Sequence, residues 1–286
     1  MKLATFSNGA AHELGVVTDG GQVVSLSRAA PMLARDMTEL ITRWDEISGE
    51  VVRIAAAGEH AFALDAVRLH APIARPGKIM AIGLNYADHV AESKMETPAH
   101  QIWFAKMSTS ANGPFDAIEV PKISQTLDYE AEMVAVIGRR GRHIANDAAA
   151  AHVFGWCVGN DATERAWQHR TAQWTLGKSF DTHAPFGPWI TTADEIADPH
   201  ALGIRCFVNG EQRQSSNTRH LIFNVWDQIE HLSHAMTLEP GDLIYTGTPG
   251  GIGAAMDPRQ FLKDGDVVRI EIDGLGAIQN PCANEV

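Results

Sequence analysis

After about residue 77 the chain is a succession of short apolar or β-branched runs, and this feature limits the available architectures more than any other. Lys78–Ile82, Ile102–Ala105, Glu130–Ile137, Phe154–Asn160, Trp189–Thr192, Ile204–Val208, Asp242–Thr246 and Val267–Ile272 are all of strand length. Glycine, proline or asparagine separates most of them. Only Ala162–Gln168 and Asn224–His234 read as helices in this region. A doubly wound sheet needs a helix between successive parallel strands, so the pattern argues against one. It predicts a mostly β, α+β fold: a β-rich roll or sandwich with attached helices.

The first seventy residues have a different texture. Thr5–Ser7, Leu14–Thr18 and Gln22–Leu26 read as strands broken by Asn8-Gly9 and Asp19-Gly20-Gly21, both hairpin-turn sequences. Helices are expected near Pro31–Trp44 and Glu50–Ala57. The stretch Pro72-Ile73-Ala74-Arg75-Pro76-Gly77 reads as a linker. The expected organisation is therefore a small N-terminal α+β domain over 1–72 and a larger domain over 73–286.

Composition narrows the function classes. With 45% hydrophobic and 20% charged residues, the 286-residue chain can bury a sizeable core. Its 35 acidic against 23 basic residues leave a net charge of −12, which repels phosphate backbones and anionic lipid. Nucleic acid and membranes are therefore not expected partners, and no uninterrupted apolar stretch approaches the ~18 residues of a bilayer span. Cys157, Cys206 and Cys282 form no C-x-x-C pair, which suits a reducing cytoplasm.

The richest chemistry lies in Leu127-Asp128-Tyr129-Glu130-Ala131-Glu132-Met133. Strand alternation puts Glu130 and Glu132 on one face, about 6–7 Å apart at Cα. Two like charges running into an apolar strand are unfavourable unless a cation compensates, and Mg²⁺ or Mn²⁺ does this well. A solvated edge strand is the other reading of E-x-E. The strand Phe154–Asn160 leads to Asp161, which could close a three-carboxylate pocket if the two strands are neighbours; otherwise Asp161 or Thr163 caps the following helix. Asp128, read as out of phase with Glu130, is expected to face away.

His89 and Glu92 lie three positions apart after the strand Ile79–Ile82. On a helix they share a face, so the carboxylate can orient the imidazole as a general base; an ordinary surface pair is the alternative. Lys106, Lys178 and the glycine-rich turn around Thr248 could hold an anionic substrate. Each lysine taken alone also fits a solvated surface.

Together, Gly83-Leu84-Asn85-Tyr86-Ala87-Asp88-His89, Asp128-Tyr129-Glu130-Ala131-Glu132, Gly159-Asn160-Asp161-Ala162-Thr163-Glu164-Arg165, Gly177-Lys178-Ser179-Phe180-Asp181, Thr246-Gly247-Thr248-Pro249 and Phe261-Leu262-Lys263-Asp264-Gly265-Asp266 form an ordered set. This set resembles the fumarylacetoacetate hydrolase family over about residues 74–286. The resemblance implies a mixed β-sandwich roll, a homodimer, and Mg²⁺ or Mn²⁺ on Glu130, Glu132 and Asp161. It also implies water activation by His89 and Glu92, with Lys178, Gln168, Arg165 and Thr248 near the substrate. Fumarylacetoacetase itself is not expected, because the aspartate that enzyme carries upstream of its histidine has no counterpart around Ile82. Met107, Glu164 and Ala166 also depart from common family residues.

The expected reaction is metal-dependent hydrolysis of the C3–C4 bond of a 2,4-diketo acid, releasing pyruvate and a carboxylic acid. On family likeness, sugar-derived 2,4-diketo-3-deoxy acids of the rhamnonate or fuconate series are the favoured substrates. An acylpyruvase, an oxaloacetate decarboxylase or an enol–keto isomerase would use the same metal and is the first alternative. A non-catalytic metal- and dicarboxylate-binding homologue is the alternative of another class.

Overall fold

The structure, a computed structural model, describes residues 1–88, 96 and 98–286. The N-terminal hairpins form as the turn sequences predict: β1 (Lys2–Ser7), β2 (His12–Val17) and β3 (Gln22–Ser25). Helix α1 (Leu26–Ala29) follows, capped by the Ser25 hydroxyl, which accepts from the Arg28 N–H at 3.1 Å. The expected helix at 31–44 is shorter: α2 (Met37–Thr42) begins only after Asp36, whose carboxylate accepts from the Glu39 N–H. Next come α3 (Trp44–Ala57), β4 (Ala61–Ala63) and β5 (Arg68–Leu69).

The second part contributes β6 (Ile79–Gly83), β7 (Ile102–Lys106), β8 (Ala111–Asn112), β9 (Ile118–Val120), β10 (Leu127–Asp128), β11 (Ala131–Ile137) and β12 (Val153–Asn160). These are followed by β13 (Thr163–Glu164), α4 (Arg165–Gln168), β14 (Ala184–Thr192), β15 (Gly203–Val208) and β16 (Glu211–Asn217). The chain ends with α5 (Val225–Ala235), β17 (Leu243–Tyr245), β18 (Val267–Ile272) and β19 (Gly276–Asn284). One sheet runs β4-β3-β2-β1-β14-β12-β11-β17-β6-β7, and a second runs β16-β15-β18-β19-β9. The N-terminal strands are part of the first sheet, since Lys2 and Leu3 of β1 register against Thr191 and Ile190 of β14.

The helix expected over 162–168 is only α4, because Thr163 and Glu164 pair with Asp128 and Leu127 as strand. Asp161 therefore does not cap it, and neither does Thr163. The run expected over 267–272 forms β18, and a further strand that no run had marked, β19, follows the turn at Asp273-Gly274.

Strands β11 and β12 explain the uninterrupted apolar runs. Met133, Ala135, Ile137, Trp156 and Val158 pack with Ile204, Cys206, Val268, Ile270 and Ile278 of the second sheet. Val134, Val136, Phe154 and Cys157 pack on the other face with Leu243 and with Leu40, Ile41, Val51 and Ile54 of α2 and α3. A strand buried on both faces loses its polar alternation. Any charged group at the end of such a strand is inside the protein unless the strand stops there, and this positions the site.

Candidate metal centre and active-site cavity

The three carboxylates converge because β11 and β12 are antiparallel neighbours. Ala131 registers with Asn160 and Glu132 with Gly159, and the Asp161 N–H donates to the Glu130 carbonyl at 2.9 Å. Asp161 is thus delivered beside the E-x-E segment. One oxygen from each of Glu130, Glu132 and Asp161 lies within 4.8 Å of the others, and all three residues are buried. Glu132 also accepts from the Gly247 N–H at 2.7 Å.

Three buried cations surround the triad. Lys178 Nζ lies 2.7 Å from Glu130 Oε2 and 2.7 Å from Asp161 Oδ2. Lys106 Nζ donates to Asp161 Oδ1 at 2.6 Å and to the Ala162 carbonyl at 3.2 Å. Arg165 Nη1 is 2.7 Å from Glu130 Oε1. Burial alone would depress the Lys178 ammonium, but Asp161 and Glu130 outweigh it and hold its proton above the ordinary range. For Lys106 burial wins, lowering its pKa despite Asp161, with Lys178 adding to the effect.

The triad is not balanced by these partners. Burial, then Asp161 and Glu130, push the Glu132 carboxyl well above its usual value. The protein's own charges therefore favour a proton at a position where a divalent cation could sit instead. Hard carboxylate oxygens are the donors that Mg²⁺ and Mn²⁺ prefer, so the site fits the metal expected from the sequence.

The triad opens into a cavity of about 530 Å³. Glu130, Glu132, Arg165, Gln168, Lys178 and Thr248 line it, so these six expected site residues share one cavity. Gln168 Oε1 accepts from Arg165 Nη1 at 3.0 Å. Thr248 Oγ1 accepts from Gln214 Nε2 at 2.9 Å, while Gln214 Oε1 accepts from the Ala131 N–H. Gly177 allows the 176–178 segment to reach this wall: a Cβ there would fall 2.2 Å from the Gln168 nitrogen. Lys106, expected against substrate, instead lies behind Asp161 and is not on the wall. The departures Met107, Glu164 and Ala166 do not line the cavity either. His89 and Glu92 lie outside the described residues.

Asp128 requires correction. It is fully buried and does not turn away: Arg165 bridges its carboxylate and that of Glu130. Its carboxylate accepts from Arg165 Nε at 2.9 Å and from the Gly253 and Ala254 N–H groups at 2.8 and 2.9 Å. Burial opposes the Arg165 charge, but Glu130 and Asp128 together hold the guanidinium above its ordinary value. Asp128→Asn removes one of these two charges. We expect it to cost about 3 kcal/mol, the lower end for breaking a buried ion pair. Urea denaturation checks this, and a change within about 0.5 kcal/mol, the level of an indifferent surface substitution, would contradict it.

Also on the cavity wall are Trp174, His169 and Arg259, which the sequence reading did not single out. Trp174 packs against Phe104 with ring centroids 5.6 Å apart. No local motif marks these residues: His169 and Trp174 lie in the connection between α4 and β14, and Arg259 in that between β17 and β18.

Comparison with known proteins agrees with this geometry. Residues 78–283 match the family model described as fumarylacetoacetate (FAA) hydrolase C-terminal. A mitochondrial oxaloacetate tautomerase of Xenopus laevis is 43% identical over 265 residues, covering 92% of this chain and 83% of that protein. Maleylpyruvate hydrolase from Sphingobium sp. SYK-6, solved with manganese(II) and pyruvate, superimposes with a TM-score of 0.84 at 31% identity. Fumarylacetoacetate hydrolase from Exiguobacterium antarcticum does so at 0.84 and 35%. Both solved structures are covered in full and cover all of this chain. The mostly β fold with few helices matches such neighbours, and no helix among the described residues is long and apolar enough to cross a membrane. The chain therefore belongs to the fumarylacetoacetate hydrolase family of metal-dependent enzymes, which hydrolyse or isomerise keto acids.

Proposed function

We propose that this protein enolises a 2-oxo acid, and that its reaction is keto–enol tautomerisation of oxaloacetate or a close analogue. The observation that carries the reading is the buried carboxylate triad, of which Glu130 and Glu132 line the cavity together with Lys178 and Arg165. A divalent ion on Glu130, Glu132 and Asp161 would supply the positive charge that stabilises an enolate over its keto acid. Lys178, held protonated by Glu130 and Asp161, donates toward the oxygen that becomes negative. Arg165 presents a second fixed cation, immobilised between Asp128 and Glu130. The Phe104 ring, 4.7 Å from Lys178 Nζ, and the Trp174 indole packed on it limit water beside that ammonium. The 43% identity to an oxaloacetate tautomerase supports this choice among the family's reactions.

Hydrolysis of the C3–C4 bond of a 2,4-diketo acid is the second reading, favoured by two observations. The sequence retains His89 and Glu92, which suit water activation, and a cavity of about 530 Å³ has room for more than a four-carbon acid. Acylpyruvates are then the natural substrates, with 2,4-diketo-3-deoxy sugar acids as the more specialised case. The proposal extends to a homodimer in the cytoplasm.

One assay separates the readings. Enol absorbance of oxaloacetate, followed with Mg²⁺ or Mn²⁺, should decay at least about tenfold faster with enzyme than without, and EDTA should abolish the difference. Pyruvate release from acetylpyruvate, coupled to lactate dehydrogenase, reports hydrolysis instead. Catalysis undiminished by EDTA would end the metal-dependent reading of both.

A further inference from the structure

The cavity wall holds a cation that the triad does not use. Arg259 lines the cavity, and among the described residues it makes no ion pair or hydrogen bond. Its backbone is nonetheless held firmly. The adjacent Gln260 donates its N–H to the Gly253 carbonyl at 3.0 Å, and the Leu262 N–H donates to Leu127 at 2.7 Å. A Cβ on Gly253 would sit 1.9 Å from the Gln260 carbonyl oxygen, so only glycine permits this closure. Gly253 and Ala254 are in turn fixed by Asp128, the same carboxylate that holds Arg165. One buried acid therefore holds the Arg165 guanidinium and the loop that carries the exposed Arg259.

The ion pairs indicate what Arg259 is for. Lys106, Arg165 and Lys178 are already engaged by the buried carboxylates of Asp128, Glu130 and Asp161. None of these three cations is left over for a second substrate carboxylate. A second carboxylate in a cavity walled by Phe104, Trp174, Ile252 and Phe261 would lack a partner, which is costly in apolar surroundings. His169, on the same wall, does not supply the charge. Burial, together with Arg165, Lys178 and Arg259, disfavours its proton.

We propose that Arg259 is the specificity residue that receives the second carboxylate of the substrate, so that this cavity selects 2-oxo dicarboxylic acids over 2-oxo monocarboxylic ones. The assignment rests on the 2-oxo acid reading above and names its substrate class more narrowly. Charge-assisted hydrogen bonds from a guanidinium to a carboxylate are the strong class of such bonds, and a lysine would replace them in part.

The test compares Arg259→Met and Arg259→Lys with the parent enzyme loaded with Mg²⁺. Arg259→Met should raise KM for oxaloacetate about 10–100-fold while kcat changes little, the scale of one lost charged hydrogen bond. KM for acetylpyruvate, which has one carboxylate, should stay within about twofold, and Arg259→Lys should recover part of the oxaloacetate loss. Calorimetry gives a readout independent of turnover: affinity for 2-oxoglutarate should fall in Arg259→Met, and affinity for oxamate should not. Equal effects on both substrates and both probes, or no effect on either, would overturn the assignment. If the parent enzyme turns over neither substrate, the functional reading fails. In that case the contrast between 2-oxoglutarate and oxamate still decides the role of Arg259.

Discussion

Replacing Glu132 by glutamine should abolish divalent-metal binding and turnover together. Losing a residue that merely supports a ligand already costs 10–100-fold in metal affinity, so losing a member of the triad should cost more than about 10²-fold. Calorimetric titration with Mn²⁺ reads the first effect, and the oxaloacetate assay reads the second. The same substitution has a signature in the metal-free protein. Burial, Asp161 and Glu130 raise the folded Glu132 carboxyl well above its ordinary 4.5. The folded state then holds this proton at pH values where the unfolded chain has released it. Stability contributed by the bound proton is complete below about 4.5 and is lost as pH rises toward the folded value, on the order of 1 kcal/mol per pH unit. Glu132→Gln cannot lose that proton, so in EDTA its stability should fall less steeply with pH. Identical slopes for parent and variant in thermal unfolding would remove Glu132 from this account.

Lys178→Met should damage both fold and catalysis. The ammonium is buried between Glu130 and Asp161 at 2.7 Å from each. Removing one partner of a buried ion pair leaves the other uncompensated, which costs roughly 3–5 kcal/mol. Urea denaturation in EDTA should show a loss of that size, and Mn²⁺ should restore part of it, because a cation at the triad answers the same carboxylates. Turnover of the metal-loaded variant should fall about 10²–10³-fold, the scale of losing one preorganised donor at a developing oxyanion. Destabilisation with unchanged turnover would make Lys178 purely structural.

The strand-rich roll was legible because β11, β12, β15 and β18 are short apolar runs ending at turn residues. Strand β16, with sequence EQRQSSN, was not. It lies at an edge of its sheet with mostly exposed or half-buried residues, so burial imposed no apolar period on it. The front of β14, Ala-Pro-Phe-Gly-Pro, was hidden by its prolines. The apparent helix at 162–168 failed because Thr163 and Glu164 find strand partners in β10, a tertiary choice that local propensity does not register.

The chemistry divides in the same way. Glu130, Glu132 and Asp161 were nameable in advance because they adjoin apolar strands, Lys178 and Thr248 because each stands beside a glycine, and Arg165 and Gln168 through the family resemblance. Lys106 was nameable as well, but its position behind Asp161 was not. Asp128 was visible yet misplaced, and Arg259 and His169 carried no local signal.

Residue order by itself determined which groups could act, since the acids and bases adjoin runs that have to be buried. Only the tertiary structure decided which of them meet. Contacts such as Asp128 with Ala254, or Lys106 with Asp161, join positions 126 and 55 residues apart. Electrostatic energy depends on separation in space, and for such pairs that separation is set by how the sheets pack, with no trace along the chain.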